Sequence, residues 1–165
     1  MILQSTKKLQ TYLGISGIAL PSFAEPCACW HGNLLQVGRR KALLLTHNES
    51  YYSLVIQGIT KKELPSLEKR IYERLKQQLL QDDFTPKEIE AVLYFSQTFS
   101  YFKSSHKRVL GVMNDMANTI AYARHHEESD DMTISSRINN TPYKAGDYFY
   151  PKKAFKVMAR QWSNQ

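Results

Sequence analysis

The 165-residue sequence has only two cysteines and no long apolar run. The longest aliphatic run, Ala42 to Leu45, is far shorter than the roughly 18 residues that a membrane-spanning helix needs. Cys27 and Cys29 are one residue apart, which suits neither a disulfide between them nor a disulfide framework. The sequence therefore predicts a soluble domain with reduced cysteines buried in a strand, and it favours a cytoplasmic location.

The common signatures of catalytic and nucleotide-binding sites are also absent. The sequence contains no P-loop, G-x-G-x-x-G, G-x-S-x-G or H-E-x-x-H motif. Cys27 and Cys29 could form half of a zinc site, but no further ligands stand at a recognisable spacing. His125 and His126 are adjacent on a predicted helix, so their side chains diverge. We therefore predict no metal and no cofactor, and the sequence leaves open whether the protein is an enzyme.

What the sequence does have is positive charge, with 22 Lys and Arg against 15 Asp and Glu and a net charge of +7. The charge is uneven, because an acidic turn (Glu127, Glu128, Asp130 and Asp131) precedes a tail that is basic and rich in aromatic residues. A basic protein attracts polyanions, which raises nucleic acid as a partner without establishing it.

The apolar pattern predicts an α+β fold. Residues 2–4 favour a short strand and residues 6–13 a short helix. Residues 27–37 and 41–46 show the pattern of two strands on either side of Gly38-Arg39, a pair that suits a type II′ turn. Residues 51–59 supply a third strand. With that turn, His31 pairs with Thr46, Asn33 with Leu44, Leu35 with Ala42 and Val37 with Arg40, and the core face carries Trp30, Leu34, Leu43 and Leu45.

Helical spacing follows in three segments: residues 64–79, a segment that starts at Pro86 after a Thr85 capping box, and residues 109–126. Residues 98–103 could return as a strand. We therefore predict a small antiparallel meander covered by about three amphipathic helices. Residues 1–126 form the core domain in this prediction, and residues 127–165 form the acidic turn and a C-terminal arm packed on the core, with a last helix from Pro151.

The predicted hairpin is the first candidate site. His31 and Asn33 project from the same side of their strand, since side chains repeat every two residues. With the cations Arg39, Arg40 and Lys41 they could bind a phosphate, and His31 could act as an acid or base. The alternative is a solvated turn beside a half-buried histidine.

The start of the third helix is the second candidate site. Cations at a helix N-terminus are unfavourable, and a bound anion would compensate. Ser105, Lys107 and Arg108 could therefore hold a phosphate, with Asn114 two turns further on; the alternative is simple solvation. Gly111, in the same helix, suggests close packing or the approach of a ligand.

Several short motifs together carry a resemblance. They are Met1-Ile2-Leu3-Gln4, Thr6-Lys7-Lys8-Leu9, Trp30-His31-Gly32-Asn33-Leu34, Arg39-Arg40-Lys41, and Lys107-Arg108 before Gly111 and Met113-Asn114-Asp115. Over residues 1–123 the chain resembles a bacterial domain-of-unknown-function family whose members sometimes precede a region similar to the plasmid pRiA4b ORF-3 protein. The resemblance implies that the protein is encoded on or near plasmids or mobile elements. It supplies no catalytic residue, because the family has no established activity to transfer. It also implies that the aromatic tail is an addition to a shorter form.

Three hypotheses follow. The leading one is a small bacterial protein whose cationic hairpin and helix start share one pocket for a phosphate-bearing ligand, with nucleic acid favoured. The second is a metal-independent phosphodiester or nucleotide enzyme that uses His31. The third is a protein-interaction partner of toxin–antitoxin type that uses the C-terminal arm, and no hypothesis involves a membrane.

Overall fold

The computed structural model describes residues 1–22, 24–126, 130–145 and 147–164, without the side chains of residues 124–126, 145 and 147. The strands in these ranges are β1 (Ile2–Ser5), β2 (Cys29–Val37), β3 (Arg40–His47), β4 (Ser53–Gln57), β5 (Ser100–Lys103), β6 (Tyr143–Ala145) and β7 (Asp147–Phe149). The helices are α1 (Lys7–Leu13), α2 (Leu67–Gln81), α3 (Pro86–Tyr94), α4 (Lys107–His126), α5 (Asp131–Asn139) and α6 (Pro151–Trp162). The α+β class is confirmed.

The main sheet is mixed and has the order β4-β3-β2-β1-β5. Strands β2, β3 and β4 form the expected antiparallel meander. However, β1 lies parallel to both β2 and β5. The prediction of a purely antiparallel sheet was therefore wrong, because the residues between these strands act as crossovers that let the parallel strands align.

The predicted hairpin register is confirmed at every pair. His31 lies opposite Thr46, and Val37 lies opposite Arg40 at the turn. Gly38 has a φ of 59°, and Arg39 is not among the described residues with positive φ. Only the first turn residue thus needs the left-handed region, as a type II′ turn requires.

Each face of the sheet carries its own core. Trp30, Leu34, Leu43 and Leu45 are buried with apolar residues of α1, α2, α3 and α6. On the opposite face, strand residues such as Leu44 pack against α4 and α5. Five of the helices in the described residues were predicted, and α5, which packs on this second face, was not.

The C-terminal segment contributes to both cores. Ile134 and Ile138 of α5 are buried beneath α4. Phe155 of α6 is fully buried, stacks on Tyr52 at 4.6 Å and meets the edge of Trp30 at 5.7 Å. The division of the chain at residue 126 stays a prediction, and Glu127 and Glu128 of the predicted acidic turn lie outside the described residues.

Helix α5 closes the open edge of β4 with side chains that stand four residues apart. The amide of Asn139 accepts the Ser53 N–H at 2.7 Å and donates to the Ser53 carbonyl at 2.9 Å. Two further hydrogen bonds of this kind lie closer to the start of α5. Val55 N–H donates to Ser135 Oγ, and Gln57 N–H donates to the Asp131 carboxylate. Four helical residues rise about 6 Å and two strand residues about 6.8 Å, so the helix follows the strand and satisfies its exposed groups.

Gly111 is not explained by close packing, one of the two reasons predicted for it, and the approach of a ligand stays a prediction. A Cβ atom added there would meet nothing within 4 Å, so neither close packing nor a neighbouring group requires glycine. We expect Gly111→Ala to stabilise the fold by about 0.5–1 kcal/mol, because alanine loses less backbone entropy in a helix. Thermal unfolding measures this as a rise in Tm of a few degrees.

The matched control is Gly32→Ala, a change of the same size in β2. Its Cβ would lie 2.8 Å from Leu9 Cδ2 and 3.0 Å from Leu3 Cδ1, so this variant should lose stability. A fall in Tm for Gly111→Ala would contradict the interpretation that open space surrounds the residue.

None of the described helices is long and apolar enough to cross a membrane. Within the same residues, no three side chains of the His, Cys, Asp or Glu type come together as a metal site requires.

Candidate functional site: two cationic clefts beside helix α1

A cleft of about 550 Å³, which we call the β1–β5 cleft, opens where the parallel strands β1 and β5 end. Carboxyl ends of parallel strands are a common position for ligand sites. The wall of the cleft carries the ammonium groups of Lys7 and Lys103 and hydroxyl groups from Ser5, Thr6, Thr11, Ser16 and Ser104. None of the described residues that line it is acidic, so its polar surface suits an anion.

A close backbone approach shapes one wall of this cleft. A Cβ atom on Gly17 would lie 2.8 Å from the backbone nitrogen of Lys103 and 2.8 Å from Gln10 Nε2. The Lys103 N–H also donates to the carbonyl of Ile18 at 2.8 Å. Glycine at position 17 thus allows the loop after α1 to lie against the end of β5.

Two hydroxyl groups in the β1–β5 cleft have no hydrogen-bond partner among the described residues. Ser5 is fully buried, and its Oγ and that of Ser104 make no hydrogen bond within the described part of the chain. A buried polar atom without a partner carries a free-energy cost, which a bound ligand would remove. Both oxygens are themselves buried, so a ligand in the cleft would reach them only after a movement of the neighbouring side chains.

Helix α4 begins at the rim of the same cleft. Its first helical hydrogen bond runs from Leu110 N–H to His106 carbonyl at 3.2 Å. The preceding N–H groups have no acceptor inside the helix, as at every helix start. Leu110 and Ser104 both line the cleft, so the segment between them adds N–H donors and exposed cations to its edge.

A second cleft of about 540 Å³, which we call the hairpin cleft, lies beside the β2–β3 turn. Its cations are Arg39, Arg40, Lys41 and Lys61, and no acidic residue occurs among its described lining. The Lys41 Nζ lies 4.9 Å from the ring centroid of Tyr12, which also lines the cleft. An aromatic ring and four cations thus share one concave surface.

Helix α1 stands between the two clefts. Lys7 and Thr11 on one side of the helix line the β1–β5 cleft, and Tyr12 lines the hairpin cleft. Lys8 is exposed and precedes Tyr12 by one turn, so it lies on the side of α1 towards the hairpin cleft. The two clefts therefore open on different sides of α1.

A third cleft of about 540 Å³ between α3 and α6 has a different character. Lys87 contributes a positive charge to it and Glu90 a negative charge. Its aromatic wall consists of Tyr94, Phe95 and Trp162. Because a carboxylate lines it, this cleft is less suited to a phosphate than the other two.

The predicted site residues divide between these places. Arg39, Arg40 and Lys41 lie in the hairpin cleft. Ser105, Lys107 and Arg108 are exposed at the rim of the β1–β5 cleft, where Ser104 and Leu110 flank them. The hairpin cations and the helix start thus belong to two clefts and not to the single shared pocket that we expected, because α1 lies between them.

The two predicted amides take different positions. Asn33 is half-buried, and its Oδ1 accepts the Thr6 hydroxyl at 3.0 Å. Asn114 is exposed on α4 seven residues beyond Lys107, about 10 Å along the helix axis. Asn33 therefore supports the residue next to Lys7, and Asn114 lies away from both clefts.

His31 has no exposed surface. Its Nδ1 lies 2.7 Å from Asn48 Oδ1, and because that oxygen only accepts, Nδ1 carries the proton and Nε2 stays unpaired among the described groups. Burial lowers the pKa of His31, with the hydrogen bond to Asn48 opposing and His106 adding to the shift. The ring of His106 lies 6.3 Å away.

Arg40 is remote from His31. It lies six residues from Thr46, the strand partner of His31, or about 20 Å along β3. A substrate in the hairpin cleft would thus be out of reach of the imidazole, and the catalytic role of His31 stays a prediction from the sequence.

The sequence also missed residues that line the clefts, above all Ser5, Thr6 and Lys103. A signal was present, since polar residues directly follow two short apolar strands at Ser5-Thr6-Lys7 and at Lys103-Ser104. Only the parallel pairing of β1 with β5 brings these two segments together.

Residues 2–154 match the model of a family described as a domain of unknown function, DUF6933. The chain belongs to this family. The predicted membership of a domain-of-unknown-function family is confirmed, but its predicted extent was wrong. The match continues past residue 123 through α5, β6 and β7 into α6, so the aromatic tail up to residue 154 is part of the DUF6933 domain.

No curated protein and no solved structure matches the chain significantly. The bacterial origin and the plasmid context that the motifs implied stay predictions.

Proposed function

We propose that this DUF6933 protein binds nucleic acid, with the phosphate backbone held in the β1–β5 cleft and the hairpin cleft on either side of α1. The observation that carries the proposal is the sign of the charge in both clefts. The lysines and arginines that line them have no acidic neighbour among the described lining residues. Such surfaces attract phosphates whatever the base sequence.

The spacing of the two clefts favours a polymer over a single phosphate ion. A ligand that occupies both must place negative charges on two sides of α1. Lys7 in the β1–β5 cleft and Lys8 on the side of α1 towards the hairpin cleft are both exposed. A nucleic-acid strand of a few nucleotides meets this requirement, and its affinity should fall steeply with salt because counterions are released on binding.

The enzymatic hypothesis receives less support than binding. The cationic clefts offer binding groups, and the imidazole of His31 is fully buried. An interaction through the C-terminal arm also receives less support, since Phe155 and Ala159 of α6 are used in the core of the protein's own domain.

Removing cations from either cleft should weaken binding and flatten its dependence on salt. We expect the double variants Lys7→Ala with Lys103→Ala, and Arg39→Ala with Arg40→Ala, each to lower the salt slope by up to about 1.4, at about 0.7 per single-strand phosphate contact. Fluorescence anisotropy of a labelled oligonucleotide, titrated from about 50 to 200 mM salt, measures both affinity and slope.

A matched control removes the same charge elsewhere. Lys69 and Lys76 are exposed on α2, and replacing both with Ala should leave the slope nearly unchanged. An equal loss in this control would show that only net charge matters. Absence of binding to both single strands and duplexes at about 50 mM salt would refute the proposed function.

A further inference from the structure

The small hairpin β6–β7 presents aromatic and cationic side chains to solvent. Lys144 pairs with Tyr148 across the hairpin, so their side chains share one face. Tyr148 is 71% exposed and Tyr150 is 41% exposed. The Lys153 ammonium lies 4.9 Å from the ring centroid of Tyr150. These four side chains place exposed rings beside cations on one surface, which we call the aromatic patch.

The opposite face of the hairpin is attached to the domain. Tyr143 is buried in the core beneath α4, and Phe149 packs against the same core. The ring of Phe149 lies 5.2 Å from that of Tyr51. The inward rings thus hold the ribbon in place, so the exposure of Tyr148 follows from alternation along an anchored strand.

The inward face of the hairpin packs against the same core as the cationic start of α4. Val109, which follows Arg108 in the first turn of α4, is buried in that core with Tyr51. Tyr51 in turn contacts Phe149 of the hairpin. The hairpin and the helix start that carries Lys107 and Arg108 are therefore anchored on one core.

We propose that the preferred ligand is a single-stranded nucleic acid whose bases stack on Tyr148 and Tyr150 while its backbone follows the cations of the α4 start into the β1–β5 cleft. This inference rests on the proposed function. A duplex keeps its bases stacked inside and offers no base face to a surface tyrosine. Unpaired bases do, and base–aromatic stacking on a positively charged track is the usual basis of sequence-tolerant single-strand binding.

The experiment compares two probes of equal charge, an oligothymidine 12-mer and an abasic deoxyribose-phosphate 12-mer. We expect the protein to bind oligothymidine about tenfold more tightly than the abasic chain. Tyr148→Ala should remove most of this preference, and Tyr148→Phe should retain it because the ring remains. Tyr94→Ala is the matched control, since Tyr94 is also exposed, at 68%, but lines the cleft between α3 and α6.

The outcomes separate this inference from the proposed function. Equal, salt-dependent binding of both probes would overturn base stacking and leave the backbone contacts intact. Loss of the preference in Tyr94→Ala and not in Tyr148→Ala would place stacking in the other cleft and overturn the assignment to the hairpin. Failure to bind either probe would overturn this inference, and failure to bind a duplex as well would overturn the proposed function. Thermal unfolding of each variant shows whether it is folded.

Discussion

Replacing Asp82 with Asn is expected to lower the free energy of unfolding by about 3–5 kcal/mol, the usual effect of breaking a buried charge network. Asp82 is only 2% exposed at the end of α2. Its Oδ2 accepts the Tyr52 hydroxyl at 2.7 Å and the Gln78 amide at 3.1 Å. Its Oδ1 accepts the Ser136 hydroxyl at 3.3 Å and lies 3.7 Å from the Lys152 ammonium.

The size of this effect follows from how many elements meet at one carboxylate. Tyr52 precedes β4, Ser136 lies on α5 and Lys152 on α6, so Asp82 joins α2 to three other parts of the chain. An Asn side chain replaces one acceptor oxygen with a donor and removes the charge that faces Lys152. In either orientation of the amide its NH2 group faces a donor, which is the Tyr52 hydroxyl in one and the Ser136 hydroxyl in the other, so a buried hydrogen bond is lost.

Asp83→Asn is the matched control for this prediction. It makes the same chemical change at the next residue, where the side chain is 87% exposed. Asn also tolerates the φ of 60° at this position. Urea unfolding of both variants should show a large loss for Asp82→Asn and a change below about 0.5 kcal/mol for Asp83→Asn. Equal small losses would contradict a structural role for the buried carboxylate.

The parts of the fold that could be predicted are those encoded by neighbouring residues. The two-residue turn at Gly38-Arg39, with strand patterns on both sides of it, predicted the register of β2 and β3. The capping box at Thr85 predicted the start of α3. Pro151 likewise marked the start of α6. In each case the signal and the structure lie within a few residues of each other.

The parts that could not be predicted depend on contacts between distant segments. Strands β1 and β5 have four residues each, too few to show whether they pair parallel or antiparallel. The β1–β5 cleft exists only because that pairing brings Ser5 beside Lys103. The sequence therefore predicted only part of the candidate site. It identified the cations on the hairpin and at the start of α4, but it did not predict that α1 separates them.

Replacing Asn139 with Ala should also be strongly destabilising, by about 2–5 kcal/mol, because it leaves two backbone groups of Ser53 without partners and each costs about 1–3 kcal/mol. Asn139 and Ser53 are both fully buried, so water cannot replace the lost hydrogen bonds. The amide satisfies the N–H and the carbonyl at once, and alanine retains neither bond. Urea unfolding measures the loss, and hydrogen exchange of the Ser53 amide should accelerate if the edge of β4 opens locally.

Asn140→Ala supplies the comparison within the same helix end. Asn140 is exposed, and its side chain donates only to the Ser136 carbonyl, so the expected loss is below about 1 kcal/mol. An uncapped edge strand is also a template for pairing with another chain, so light scattering should show self-association for Asn139→Ala alone. If both variants were equally stable and monomeric, the side chains of α5 would not be what closes the edge of the sheet.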